Sequence, residues 1–430
     1  MKTLVVLSGI GLLTLSCQVL AWSNHSLGSL LALRDVPQLS EQVTVEPLEA
    51  FLDAQAPAIE RLLDEQERYA GEHFSYYPPR PGALRWQADT GGDRRAAFLA
   101  ALRINPEVRL ASFIQQLPGQ EAGGRAVLSS AEVLVFSKVG PWTHWRYLAL
   151  QPGESVGALQ VLASAADEPD YGHDINLFSD NPGAAGQRYN FGPQPFGDAR
   201  FEYSSQAPFH IGYYHESALV FAAAPYLAQT LPHWRIYQYA GLARLAFASG
   251  HRYWGYRFLG WAMHYLQDLT QPYHSRVLPG VDLADMVLIE AKAQAGFSAD
   301  REAAIKRVAD RHTAIEQYQF ERMQALLGQG QMDDPLLSAY ADVREDAAYP
   351  AFTADYAASV VAAESNARAD EFDGLIGQWL ARSTASQGFS AGNQLARVPP
   401  DPALDALLVE LFRHFGSHSR NALQATLPAK

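Results

Sequence analysis

The chain has 430 residues, of which 48% are hydrophobic and 18% charged, and its formal net charge is −13. This composition argues against disorder or a fibrous repeat, and the acidic balance argues against binding nucleic acid or anionic membranes through bulk charge. A single Cys excludes an internal disulfide and any multi-cysteine metal site, so a metal site would depend on Asp, Glu and the 13 His.

The first element is predicted to be an export signal. Lys2 is followed by an apolar run from Leu4 to Leu15, and Val19-Leu20-Ala21 resembles a cleavage site. We therefore expect a secretory signal over residues 1–21 and a mature chain, 22–430, that is periplasmic or extracellular. The later sequence lacks an apolar run of ~18 residues, so the mature protein is expected to be soluble, without a transmembrane segment.

The alternative for this start is a lipoprotein acylated at Cys17. The segment Thr14-Leu15-Ser16-Cys17 matches that signal poorly, because an aliphatic residue is expected in place of Thr14. We favour cleavage after Ala21, which would make Trp22 the first residue.

The N-terminal half mixes helical and irregular patterns. Apolar residues at helical spacing predict an amphipathic helix from Glu46 to Tyr69, and a second, short helix is predicted from Arg95 to Arg103. Pro and Gly predict a loop over residues 77–95. The segments 127–136 and 144–150 are compatible with helix ends or short strands, and 167–209 has a loop-like composition.

Helical patterns return after Tyr213. They are predicted over residues 214–229, 234–249, 252–269, 280–296, 299–327, 351–382 and 402–415. Residues 384–400 have the composition of a surface connection. We therefore predict a mainly α fold, with one large helical domain over residues 22–430 and an insertion in its N-terminal half at about 30–160.

One predicted helix carries a concentrated metal-ligand pattern. His264 and Asp268 are four residues apart, so both side chains lie on one helical face and can share a cation. Pro272 ends the helix, and the turn brings His274 back toward the same end. Three ligand-type residues within eleven positions indicate a metal site.

Further candidates lie elsewhere in the chain. His312 and Glu316 repeat the four-residue spacing on another predicted helix, although such a pair is commonly a solvated ion pair. The other candidates are ligand-type residues in less regular surroundings, namely His210, His215, Asp167, Asp170 and Asp174.

The segment His264-Tyr-Leu-Gln-Asp268-Leu-Thr-Gln-Pro272-Tyr-His274 resembles the signature of zinc-dependent bacterial phospholipases C. Single-strand-specific zinc nucleases of fungi and plants share that superfamily. The resemblance implies a helical fold around three zinc ions. It also implies a mature N-terminal Trp whose α-amine and carbonyl oxygen bind zinc, a role that Trp22 would fill.

The resemblance further implies three ligand sets. The first zinc would take Trp22, His25 and Asp268, and Asp268 would also bridge to the second zinc. The second would take His264, Asp268, a loop Asp and a mid-chain His, for which Asp167 and His210 are preferred over Asp170 and His215. The third zinc would take His274, His312 and Glu316. Asp167 would also orient the nucleophile or accept its proton.

Such a centre implies hydrolysis of a phosphodiester by zinc-bound hydroxide. The preferred substrate is a phospholipid such as phosphatidylcholine at a membrane surface, cleaved to diacylglycerol and a phosphorylated headgroup, and no stable protein partner is inferred. Aromatic residues that could cage a quaternary ammonium are Phe209, Tyr213, Tyr214, Trp254 and Tyr273. The alternatives are a zinc nuclease acting on single-stranded nucleic acid and a non-catalytic metal-binding helical protein.

Overall fold

The structure is a computed structural model that describes Trp22 and residues 24–89, 91–116, 121–136, 145–197, 202–387 and 399–428. The predicted export signal, the Cys17 alternative and the cleavage site lie outside these residues. The described chain is 62% helical and 4% strand, which confirms the prediction of a mainly α fold. Among its helices, none combines the length and hydrophobicity needed to cross a membrane.

The N-terminal half contains one long helix, several short ones and two small sheets. Its helices are α1 (His25–Leu33), α2 (Leu48–His73), α3 (Arg94–Leu102), α4 (Ala158–Ala165) and α5 (Ala185–Tyr189). Its strands are β1 (Gln42–Thr44), β2 (Phe113–Gln116), β3 (Val127–Leu128), β4 (Arg146–Ala149) and β5 (Ser155–Gly157).

The C-terminal half combines long helices with three short ones. These are α6 (Ala207–His210), α7 (Ala218–Ala223), α8 (Pro232–Ala248), α9 (Arg252–Asp268), α10 (Leu283–Gln294), α11 (Ala299–Gly328), α12 (Pro335–Ser338), α13 (Ala362–Gln387) and α14 (Pro402–Thr426). A five-residue π-helical turn, Ala357–Val361, leads into α13.

Both sheets are antiparallel. β1 pairs with β5, with Val43 opposite Val156, and the order of the second sheet is β2-β4-β3, with Ile114 opposite Leu148. The sequence pattern of segments 127–136 and 144–150 was compatible with helix ends or short strands. The structure has short strands there, at residues 127–128 and 146–149.

The helix α9 runs through the centre of the molecule. Every residue from Tyr253 to Asp268 is buried, so this helix lacks the exposed polar face of an ordinary surface helix. It packs against α8 and α4. The approach to α4 is close at Gly260, where a Cβ would lie 2.6 Å from the Leu162 carbonyl oxygen.

The main hydrophobic core extends from Trp22 to Leu423, and two smaller apolar clusters accompany it. Phe51, Phe98 and Leu148 belong to it, so the segment predicted as an insertion contributes to the same core as the later helices. The predicted domain bounds stay a prediction.

Several predicted elements differ in extent from the observed ones. The helix predicted at 214–229 is limited to α7 and a 3-10 turn at Pro225–Ala228, while α13 and α14 run further than predicted, to Gln387 and Thr426. The helices α1 and α4 were not predicted. The loop-like region 167–209 contains short helical turns, and its start, residues 167–175, is completely buried.

Candidate metal centre

The last turn of α9 provides the middle of the site. His264 and Asp268 are both fully buried, and His264 Nε2 lies 3.4 Å from Asp268 Oδ2. His264 Nδ1 lies 2.6 Å from the carbonyl oxygen of Ala166, which requires the proton on Nδ1 and leaves Nε2 with a free lone pair. The imidazole is thus held in the tautomer that can bind a metal.

His210, at the end of α6, completes a first group with these two residues. Its Nδ1 lies 2.9 Å from Asp268 Oδ2 and 3.1 Å from His264 Nε2. One ligand atom from each of His210, His264 and Asp268 falls within 4.8 Å of the other two, close enough for a common cation.

His25, the first residue of α1, lies beside the same carboxylate. Its Nε2 lies 3.3 Å from Asp268 Oδ1, and its Nδ1 lies 3.0 Å from the side-chain oxygen of Gln267. His25, His264 and Asp170 form a second group with ligand atoms within 4.8 Å of one another. The two oxygens of Asp268 therefore face different imidazoles, an arrangement that suits a carboxylate bridging two ions.

The loop aspartates divide their roles differently from the sequence prediction. Asp170 Oδ1 lies 3.6 Å from His264 Nε2 and 3.7 Å from His210 Nδ1. Asp167 instead accepts hydrogen bonds from the Ser26 backbone N–H (3.1 Å) and the Asn24 side chain (3.0 Å), so it holds the start of α1. The structure thus places Asp170, and not Asp167, beside His264 and His210.

The mid-chain histidines are also separated. His210 is buried in the centre, whereas the exposed His215 lies with Nε2 2.7 Å from the carbonyl oxygen of Ala358. The structure therefore places His210 rather than His215 beside Asp268.

The predicted third set lies together on the far side of His210. The rings of His274 and His312 are 5.1 Å apart between centroids, and His312 Nε2 is 3.0 Å from Glu316 Oε1. His274 Nδ1 lies 2.8 Å from the His210 carbonyl oxygen, which leaves Nε2 as the lone-pair nitrogen. Within the described chain this set does not reach the 4.8 Å convergence of the first two groups.

Trp22 is buried beside the end of α9. Its indole N–H donates to the Gln267 carbonyl oxygen (3.1 Å) and to Thr270 Oγ1 (2.9 Å). These contacts bring the start of the described chain next to the residue that precedes Asp268.

Several ligand-type atoms at the centre of the cluster lie close together but do not form hydrogen bonds with the described residues. His25 Nε2, His274 Nε2 and both oxygens of Asp268 are buried and, in the described part of the chain, lack a hydrogen-bond partner. Unsatisfied buried donors and acceptors are costly, and a cation bound among them would satisfy these lone pairs. The donor set, imidazole nitrogens with carboxylate oxygens, fits zinc.

The electrostatics of the metal-free cluster follow from burial and from its carboxylates. Burial by itself lowers the pKa of His25 and of His210, but the adjacent Asp268 carboxylate outweighs it, so these pKa values rise to about 9 and about 10. Burial raises the pKa of Asp170 to about 8. Protons thus occupy the positions that a divalent cation would take, and metal binding would release them.

Two further supports of the site escaped the sequence analysis. Arg235 donates to Asp174 Oδ1 at 2.6 Å with both side chains fully buried, and Asp174 Oδ2 lies 3.5 Å from His210 Nε2. Gln267 donates to Ser29 and Ser419 while its oxygen faces His25. Asp174 was a candidate by residue type, but no sequence pattern links it to an Arg 61 residues away.

Fold and site together define a mainly helical protein with a buried His–Asp cluster suited to binding metal. No family model, no curated protein and no solved structure matches the chain. The resemblance to zinc-dependent phospholipases C therefore stays a prediction from the motif at the end of α9.

Proposed function

We propose that this protein is an exported zinc-dependent phosphodiester hydrolase of the phospholipase C type. The observation that carries the proposal is the convergence of His25, His210 and His264 on the two oxygens of Asp268 inside the protein. A purely structural cluster would be expected to satisfy these groups with hydrogen bonds, and here several lack them.

The residues divide into ligands and supports under this proposal. Asp268 would bridge two zinc ions, one shared with His25 and the other with His210 and His264, while Asp170 would supply a further oxygen. His274, His312 and Glu316 would hold a third ion after a small rearrangement. Bound zinc supplies hydroxide at neutral pH and stabilises charge on the phosphate.

The remaining polar residues would position these ligands. Ala166 and Gln267 orient His264 and His25 through their Nδ1 atoms. Arg235 neutralises Asp174 behind His210, and Asp167 fastens the start of α1. The catalytic role predicted for Asp167 is therefore reassigned, and we propose Asp170 as the carboxylate that orients the nucleophile.

The preferred substrate is a phospholipid such as phosphatidylcholine. The first experiment compares hydrolysis of phosphatidylcholine vesicles and single-stranded DNA by the zinc-loaded, exported protein, whose N-terminal sequence we expect to begin at Trp22. We expect faster release of phosphorylated headgroup than of nucleotides. The reverse order would leave the metal centre standing and replace the lipid by nucleic acid as substrate.

Metal content tests the centre separately. Elemental analysis is expected to find about three zinc ions per chain. Asp268→Asn should lose at least one ion and lower kcat by more than about 100-fold, because the bridging charge is removed. The control Asp333→Asn makes the same chemical change at an exposed position and should keep both metal and activity. Full zinc content in Asp268→Asn would contradict the bridging role.

A further inference from the structure

A cavity of about 200 Å³ lies between the end of α2, the start of α8 and the π-helical turn. The residues that give it its chemical character are Phe74, Tyr76, Tyr214, His233, Trp234 and Asp355. None of them belongs to the metal-binding groups. A water molecule occupies ~30 Å³ in the liquid, so a cavity of this size can admit a small organic molecule.

The lining has the electrostatic character of a cation site. The rings of Phe74, Tyr76, Tyr214 and Trp234 present π electrons, and Asp355 adds a carboxylate, while Lys and Arg are missing from the described lining. Cations are attracted to the faces of such rings, most strongly to Trp. Burial lowers the pKa of His233, so this imidazole stays neutral and does not repel a cation.

Trp234 adds a requirement of its own. Its side chain is only 4% exposed, and its indole Nε1 lacks a hydrogen-bond partner in the described chain. An unsatisfied buried N–H is unfavourable, so a ligand that brings an oxygen acceptor would be favoured over one that does not. The lining therefore matches a molecule with both a cationic group and an oxygen atom.

Two histidine side chains contact backbone carbonyl oxygens in the wall of the cavity. Ala358 lies in the π-helical turn, and Asp355 lies two residues before that turn. The carbonyl oxygens of Ala354 and Ala358 are contacted by the Nε2 atoms of His233 and His215, respectively. Single π-helical turns occur frequently at functional sites, and this one shapes the edge that carries the carboxylate.

We propose that this cavity binds an alkylammonium ion that carries an oxygen acceptor. Such a group occurs in free amino alcohols and in their esters within lipid headgroups. The π faces and Asp355 would bind the ammonium group, and the Trp234 N–H would donate to the oxygen. The residues that line the cavity are different from those of the His–Asp centre, and binding there does not depend on the proposed hydrolysis.

Calorimetry on the intact, metal-loaded protein tests the cationic part. Choline is the probe, and 3,3-dimethylbutan-1-ol is its uncharged analogue of the same shape. We expect choline to bind at least about tenfold more tightly, since the analogue lacks the cation–π and carboxylate attraction. Equal affinity of the two, or no binding of choline, would overturn the proposal.

Variants locate the binding in this cavity. Asp355→Asn should weaken choline binding about fivefold or more, whereas Asp333→Asn removes an equally exposed carboxylate elsewhere and should not change it. Phe74→Leu should also weaken binding, whereas Phe74→Tyr keeps the π face and should retain it. Melting temperatures verify that each variant is folded. Choline affinity unchanged in both Asp355→Asn and Phe74→Leu would rule out this cavity.

A vesicle experiment separates the two sources of the cation. Sedimentation on ice compares protein bound to phosphatidylcholine and to phosphatidylglycerol vesicles, with and without Asp355→Asn. Weaker binding of Asp355→Asn to phosphatidylcholine alone would assign the cavity to a lipid headgroup. Unchanged vesicle binding, together with weakened choline binding, would assign it to the free amino alcohol.

Discussion

Asp268 joins residues that are far apart in the sequence. Its Oδ1 faces His25 on α1 and its Oδ2 faces His210 on α6. The sequence predicts the pairing of Asp268 with His264, because four-residue spacing fixes both on one helical face. It cannot predict which distant imidazoles reach the same carboxylate, since such contacts leave no periodic pattern, and the candidates His25 and His210 rested on residue type and on the family resemblance.

The same limit explains why the sequence analysis preferred Asp167, whereas the structure places Asp170 beside the histidines. Asp167 precedes a 3-10 turn, Glu168–Tyr171, and Asp170 lies within it, so their side chains point to different neighbours. One side chain meets the first residues of α1 and the other meets His264 and His210. A separation of three positions in a tight turn is enough to direct one carboxylate to α1 and the other to the two histidines.

His173 provides a prediction for pH dependence. It is buried, its ring packs edge-on to Trp261 at 4.6 Å, and burial lowers its pKa to about 3. The unfolded chain, with a His pKa near ~6.5, binds one more proton between pH 6.5 and 3. The free energy of unfolding should therefore fall by about 1.4 kcal/mol per pH unit below pH 6.5 through this residue.

Urea unfolding of the protein and of His173→Leu at pH 7.5 and 5.5 measures this effect. Loss of metal at low pH affects both proteins, so the difference between them isolates His173. The original protein should lose about 1.4 kcal/mol more than the variant over this interval. Equal losses would show that His173 is protonated in the folded protein.

The short, almost fully buried helices α1 and α4 were missed, whereas the longer helices α2 and α9 were predicted. The helix α2 has one buried face and one exposed face, so the spacing of its apolar residues is visible in the sequence. The helix α4 is short, and most of its eight residues are buried, so it has too little polar contrast to show a period. The early end predicted for α14 reflects the Gly416-Ser417-His418-Ser419 run, whose low helix propensity is overridden by packing.

The contact between α4 and α9 gives a prediction for Gly260. A Cβ at this position would lie 2.6 Å from both the Ala165 Cβ and the Leu162 carbonyl oxygen, and backbone cannot move aside cheaply. We expect Gly260→Ala to lower the free energy of unfolding by about 1–3 kcal/mol. Chemical denaturation provides the measurement.

Gly374 is the matched control for this substitution. It lies on the exposed side of α13, where a Cβ would meet no atom within 4 Å. Gly374→Ala should raise stability by about 0.4–1 kcal/mol, because Ala loses less backbone freedom on folding. A Gly260→Ala protein as stable as the original would mean that α4 and α9 are not packed as closely as described.

For the molecule as a whole, a bound metal would join four segments that are far apart in the sequence. The centre draws on α1, the loop before α5, α6 and α9. Any ligand that binds the folded state alone stabilises it, so chelation should lower the melting temperature. Hydrogen exchange should rise most in α1 and α6, while α2, which supplies no ligand, should change little. Identical melting curves with and without chelator would contradict a metal-stabilised fold.

The bridge made by Gln267 has a consequence for the order of events during synthesis. Its side chain faces His25 from the first described helix and donates to Ser419 on the last one. The support behind His25 is therefore incomplete until almost the whole chain has been synthesised, although His25 itself is made early. If His25 binds metal, we expect its site to form only after α14 has packed against α9.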